Sequence, residues 1–312
     1  MMPTAGHSTS PSPALTSPSP TLPPNLMGSG AQTAVADRPF PGAILTRSRW
    51  FAVMSALALL SLVLVMLCLQ LGTQFIGVGH LVGLLSSALL GTASEPDALR
   101  TTGVILLQVR LPRVLLGFLV GSCLAAVGVA LQALLRNPLA DPYVLGVSSG
   151  AALGVTIAVL FGIGTTVLAL SLLPVFGFAG SLIALMVIYR MAASYDRLPI
   201  HSVLLAGVIL NAIFSALIMF ITSIMEPNRS FGMMAWLMGS LTAPANPVLM
   251  VLAAYLLLGL LLLLKQVRVL NILALGEEPA RSLGIDTERT KRLIFLLSAL
   301  MTGAVVSFSG MI

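Results

Sequence analysis

Residues 247–264 read PVLMVLAAYLLLGLLLLL, eighteen positions without one charged side chain. A run of about 17–25 apolar residues, wound as an α-helix, crosses a hydrocarbon core about 30 Å thick. No water reaches that depth, so each backbone N–H and C=O must pair within its own segment, which a helix achieves. Working outward, the same reading applies to 51–71 (FAVMSALALLSLVLVMLCLQL) and to segments near 114–135, 144–162, 166–189, 203–224 and 293–311. The alternating segments of about ten residues that a membrane barrel needs are absent. The expected fold is therefore an all-α, polytopic transmembrane helix bundle with seven spans.

Composition agrees. The 312 residues are 57% hydrophobic and 8% charged, against about 25% charged in soluble domains. Residues 1–45 are different material, rich in Ser, Pro and Thr and without apolar periodicity. They are expected to form a disordered tail ahead of a membrane domain over 46–312. The first apolar run starts only near Trp50, so no cleaved secretory signal is expected. Between the first two spans, 76–91 is shorter, with polar flanks, and reads as an extracytoplasmic amphipathic helix.

The net charge of +6 raises nucleic acid as a partner, but the basic residues are scattered over loops and form no aromatic-interleaved patch. In a membrane protein a basic excess reports topology. With the N-terminus in the cytoplasm, twelve of the sixteen Lys and Arg residues fall inside and only Arg100, Arg110, Arg113 and Arg229 fall outside. That asymmetry predicts a multi-pass membrane protein with a cytoplasmic N-terminus and no nucleic-acid role. Cys68 and Cys123 lie inside apolar runs and read as small hydrophobes, not as a disulfide or a metal site. Small residues four apart, at Gly117 and Gly121 and again at Gly146, Gly150 and Gly154, suit close helix–helix approach.

None of the seven spans holds Asp, Glu, Lys, Arg or His in its apolar interior. Proton-driven carriers need such a group near the midplane. A sodium site built from carbonyls survives this objection, so an ion-coupled secondary transporter stays open at this point. The G-x-x-x-x-G-K-[ST] loop that cradles nucleotide phosphates is also absent. If ATP powers this chain, a separate subunit hydrolyses it and pushes on a cytoplasmic surface. The stretch 273–284, LALGEEPARSLG, offers one: Glu277 and Glu278 at a helix start, Pro279 in its first turn and Gly284 past its end define a short capped helix.

Residues 110–154, RLPRVLLGFLVGSCLAAVGVALQALLRNPLADPYVLGVSSGAALG, together with LLAGV (204–208), WLMG (236–239), the 273–284 loop and the final SGMI (309–312), closely resemble the FecCD family of ABC permeases. That family serves iron-siderophore, haem and cobalamin import, and its fold is that of type II ABC importer permeases. The resemblance implies the following roles. Arg110 and Arg113 dock an extracytoplasmic substrate-binding protein. Asn137 and Leu139, with Ile200 and His201 across the path, form a cytoplasmic gate. Glu277, Glu278, Ala280, Arg281 and Gly284 couple to an ATP-binding cassette ATPase subunit, which binds the ATP and Mg. The chain itself is expected to have no catalytic, cofactor-binding or metal-ligating residue. A second permease copy completes the pathway within the lipid bilayer, which the resemblance implies is a bacterial cytoplasmic (inner) membrane. Members of the family continue beyond the equivalent of Ile312 with about three more spans and a third docking arginine. The sequence is therefore expected to hold about seven of the usual ten spans, and its activity as a truncated membrane protein is in question.

Overall fold

The computed structural model describes residues 46–72, 76–77, 79, 83, 103–163, 172–192, 199–242 and 244–311. The expected tail and most of the 76–91 helix lie outside the described residues. The chain divides into two units, 1–60 and 61–312. Helix α1 (Arg47–Gln70) contains the division: its turns up to Leu60 are the described part of the first unit, and its remainder belongs to the second.

The second unit is helical wherever it is described in regular structure. Its helices are α2 (Leu111–Leu135), α3 (Val147–Leu160), α4 (Leu173–Ala192), α5 (Ile200–Ile224), α6 (Pro227–Leu237), α7 (Asn246–Lys265), α8 (Val267–Leu275), α9 (Glu277–Ser282) and α10 (Thr287–Ser309). A π-helical segment, Ile105–Arg110, leads into α2, and a 3₁₀ turn, Pro142–Leu145, precedes α3. Six helices among the described residues are long and apolar enough to cross a membrane, by length and composition.

The seventh expected span, 144–162, is corrected. Gly146 takes a left-handed φ of +68°, so the helix starts only at Val147 and runs 14 residues. At 1.5 Å per residue that is about 21 Å, short of the hydrocarbon thickness. The span expected at 166–189 is the helix Leu173–Ala192. The span expected at 114–135 starts earlier, at Ile105, because the π-helical segment runs straight into it. Helices α6 and α8 were not expected from the sequence.

The core is organised on α10. Its apolar window is 67% buried, against 22–33% for α2, α4, α5 and α7, and it packs on α2, α3, α4 and α7. Phe295, Ala299, Val305 and Ile294 from α10 join Leu116, Val127 and Leu131 of α2 and Leu252 and Leu256 of α7 in one cluster.

The most extensive helix pair is α3 with α4. Here the small-residue spacing is realised. A Cβ on Gly154 would stand 3.1 Å from Gly180 Cα, and one on Gly180 would stand 3.0 Å from Gly154 Cα; the carbonyls of Phe176 and Gly150 lie closer still. Only glycine permits this backbone-on-backbone contact. The Gly117/Gly121 pair is different: a Cβ at Gly117 would meet Leu241 at 3.3 Å, whereas Gly121 has nothing within 4 Å.

Candidate functional site

The expected site residues fall at the two ends of α2, separated by its 25 residues, about 37 Å of helix. At the C-terminal end the chain leaves α2 through Arg136, whose left-handed φ of 50° caps the helix. The 137–142 turn then stabilises itself. Asn137 Oδ1 accepts a hydrogen bond from the Leu139 N–H at 2.9 Å, and Asp141 Oδ1 accepts one from Tyr143 N–H at 2.8 Å. These side-chain-to-backbone bonds hold a helix-breaking stretch in shape without a strand or helix around it. They also leave Leu139 84% exposed. The following 3₁₀ turn packs on α5, which opens at Ile200 behind the cap residue Pro199. His201 is exposed. The turn and the start of α5 thus share one end of the bundle, and Gly146 sits so close to Gly207 that a Cβ there would lie 2.9 Å from its carbonyl oxygen.

At this same end lies α9, entered through Gly276 (φ +141°) and left through Gly284 (φ +78°). Ala280 is fully buried beneath it. Glu277, Arg281, Glu288 and Lys291 gather at its junction with α10. Lys291 Nζ lies 2.6 Å from Glu288 Oε1 and 3.3 Å from Glu277 Oε1. Arg281 Nη2 lies 3.3 Å from Glu277 Oε2 and 3.9 Å from Glu288 Oε1, while its Nε donates to Thr287 Oγ1 at 3.2 Å. Asp286 caps α10 by accepting from the Arg289 N–H at 3.0 Å. Glu278 points outward, exposed, and Leu275 and Leu283 flank α9 at 78% and 67% exposure.

At the other end of α2 the two arginines part company. Arg113 is exposed. Arg110 is 9% exposed and turns its Nη1 inward to the Leu69 and Gln70 carbonyls at 2.9 and 3.2 Å. These are carbonyls of the last turn of α1, the Gln70 one also accepting from the Ile76 N–H at 3.3 Å, and a guanidinium there complements the helix dipole. Gly72 makes room: a Cβ there would stand 2.5 Å from Arg110 Nη2. The geometry makes Arg110 a brace between the end of α1 and the start of α2, whereas Arg113 is presented outward. Both line a cleft of about 680 Å³ whose other walls are chiefly apolar and include Cys68. Cys68 is exposed and Cys123 is buried. A lipid-permeant maleimide is therefore expected to modify Cys68 in the folded protein and leave Cys123 untouched until denaturation, as read by intact mass. Among the described residues no group of three or more His, Cys, Asp or Glu stands where it could hold a metal ion.

The sequence profile of the FecCD transport family matches residues 49–312, most of the chain. The chain belongs to the FecCD transport family. Among its FecCD relatives, the uncharacterized ABC transporter permease protein YvrB of Bacillus subtilis is 34% identical over 71% of this chain and 62% of its own length. The cobalamin import system permease protein BtuC of Halobacterium salinarum is 38% identical over 68% of this chain and 56% of its own length. The hemin transport system permease protein HmuU of Yersinia pestis is 40% identical over 67% and 62%. The chain thus spans rather less than two thirds of the length of these relatives. A solved ABC transporter assigned to the metal-chelate type, in an inward-facing conformation, superposes with a TM-score of 0.69 at 28% identity, over 83% of this chain and 76% of that one. FecCD membership together with six apolar helices makes this a multi-pass membrane protein.

Glu288 and Lys291 escaped the sequence reading. Their signal is faint: an acid and a base three apart in the first turns of α10, a spacing that ordinarily marks a solvated pair. What distinguishes them is Glu277, fourteen positions upstream of Lys291, which only the turn through Gly284 brings alongside.

Proposed function

We propose that this chain is the membrane-spanning permease subunit of a binding-protein-dependent ABC importer that carries an iron-siderophore complex, powered by ATP and Mg on a separate ATPase subunit. The observation that carries the reading is α9. The family's loop motif is folded here as a separate short helix, flanked by Gly276 and Gly284 and pinned to the most buried of the six candidate spans. A surface that receives a push needs this combination of exposure and rigid attachment. In this reading the α9 end faces the cytoplasm, as does the N-terminus, and the Arg113 end faces the binding protein. That orientation keeps the basic excess inside. Asn137 and Leu139 of the turn, with Ile200 and His201 at the start of α5, close the path on the cytoplasmic side, and a second permease copy supplies the other wall. An iron chelate fits relatives named as an iron-uptake permease of Bacillus subtilis and iron chelatin permeases of Helicobacter pylori. Relatives named for hemin and cobalamin define the competing cargo.

Proteoliposomes carrying this chain with its ATPase and binding protein are expected to accumulate labelled ferric siderophore only with ATP inside the ATPase compartment. Accumulation of hemin or cobalamin instead reassigns the cargo. Uptake driven by a sodium or proton gradient without the ATPase sinks the importer reading. At the opposite end, Arg113→Glu is expected to weaken capture of the binding protein about tenfold, roughly 1.4 kcal/mol, because an exposed arginine contact to carboxylate becomes a repulsion. Surface plasmon resonance on the purified permease reads this directly, and unchanged affinity removes Arg113 from the docking surface.

A further inference from the structure

Helices α9 and α10 meet through Leu283, Gly284, Ile285 and Asp286. Gly284 has a left-handed φ and nothing within 4 Å of where a side chain would stand. Backbone bonds from Gly284 N–H to Arg281 O and from Ile285 N–H to Ala280 O finish α9, but they do not set the direction in which α10 departs. Taken alone, this connection is a hinge. Without further ties, a push on α9 would reach the bundle only through the apolar contacts of buried Ala280 and half-buried Ile285 with the core cluster.

The four charged side chains bridge that hinge. They form a closed ring of alternating sign, with one acid and one base from each helix. Two of its bonds lie within a helix, Glu277 with Arg281 and Glu288 with Lys291. The two that cross the hinge are Lys291 with Glu277 at 3.3 Å and Arg281 with Glu288 at 3.9 Å. The crossing bonds are unequal. The Lys291 side chain is 5% exposed and touches both carboxylates, whereas Arg281 is 54% exposed and makes the longer contact. Water and salt weaken an exposed pair, and a buried one keeps its strength. Removing Arg281 also loses its Nε bond to Thr287 across the same turn, yet leaves both glutamates on Lys291. Removing Lys291 leaves two carboxylates on either side of the hinge and takes away the buried cation that touches both, a costly change.

We propose that Lys291 is a positioning residue that locks α9 and α10 into one lever across the Gly284 hinge, so that force on α9 reaches α2, α3, α4 and α7 through α10. The ring's exposed corner, Arg281, lies within reach of a partner's carboxylate, and the buried corner holds the lever while that contact forms. The proposal rests on the permease reading for its role in transport and stands independently of it as a statement about rigidity.

Two measurements test it. Spin labels at Ser282 and Leu296, in a full-length Cys68→Ser chain, are expected to give a narrow distance distribution. Lys291→Met is expected to broaden it at least twofold and Lys291→Arg to restore it. Because Lys291→Met removes a buried cation and could unfold the chain, Glu277→Gln serves as the milder variant: it is expected to broaden the distribution as well, whereas Arg281→Gln leaves it narrow. Distributions equally narrow in Lys291→Met or Glu277→Gln, or broadened more by Arg281→Gln, overturn the lever. In proteoliposomes with the ATPase and binding protein, Lys291→Met is expected to keep ATPase co-purification and basal hydrolysis while stimulation by loaded binding protein falls at least fivefold. Stimulation at the native level overturns the transmission role. Failure of the native chain to capture any ATPase counts against the permease reading alone, and the spin-label result still decides the lever.

Discussion

Gly180→Leu is expected to remove this protein from the membrane as a folded species. Gly180 lies where α3 and α4 touch backbone to backbone, its Cβ direction running into the Gly150 carbonyl and Gly154 Cα. An overpacked core site ordinarily costs about 1–3 kcal/mol because a neighbouring side chain rotates away. Here the obstacles are main-chain atoms of a helix with nine of its fourteen residues buried, so relief requires α3 to shift bodily. α3 also packs on α5, α6 and α10, and such a shift breaks those contacts together. The cost then rises into the range of total native stability, about 5–15 kcal/mol. Gly121→Leu is the control, since nothing lies within 4 Å of its Cβ position. In detergent, size-exclusion profiles of a fluorescent fusion are expected to show aggregation for Gly180→Leu and a native peak with an unchanged melting temperature for Gly121→Leu. A monodisperse, normally melting Gly180→Leu protein contradicts the close packing of α3 and α4.

The contrast between those two glycines shows where the sequence is legible and where it stops. Gly150 and Gly154, which face Gly180, have the same four-residue spacing as Gly117 and Gly121, and spacing alone cannot say whether a second helix lies opposite. Hydropathy identified the long spans because a run such as 247–264 permits only one structure in lipid. It failed at 144–162 for a related reason: it sums apolar character and does not register that Gly146 adopts a left-handed φ and starts the helix late. The loop helix was legible because caps are local chemistry, Glu277 at its start and Gly284 past its end. The two arginines of RLPR were not separable, since Arg110 is drawn inward by carbonyls forty positions away at Leu69 and Gln70. Lys291 is the clearest case of the same limit. Its identity is ordinary, and its meaning comes from a partner fourteen residues distant.

Leu275 and Leu283 support the second large prediction. Apolar side chains that face lipid need no explanation, but these two flank α9, a charged segment outside the spans, at 78% and 67% exposure. Together with exposed Glu278 they offer apolar side chains at a charged surface that a partner's groove can cover. If α9 seats in an ATPase, these side chains become buried on association. Burying two leucine side chains supplies apolar driving force for the association. Leu275→Asp with Leu283→Asp is then expected to weaken ATPase capture at least a hundredfold, about 2.7 kcal/mol. Each substitution removes apolar burial and places a carboxylate where water is excluded. Neither leucine belongs to the Glu277–Lys291 ring or to the core cluster, so the fold and the α9–α10 lever are expected to survive, as the Ser282–Leu296 spin-label distance can verify. Pull-down of the ATPase by tagged permease reads the result. ATPase retained at the native ratio by the double variant, with native capture intact, places the contact surface elsewhere on this end of the bundle, and the exposed rim of α9 is then not its docking site.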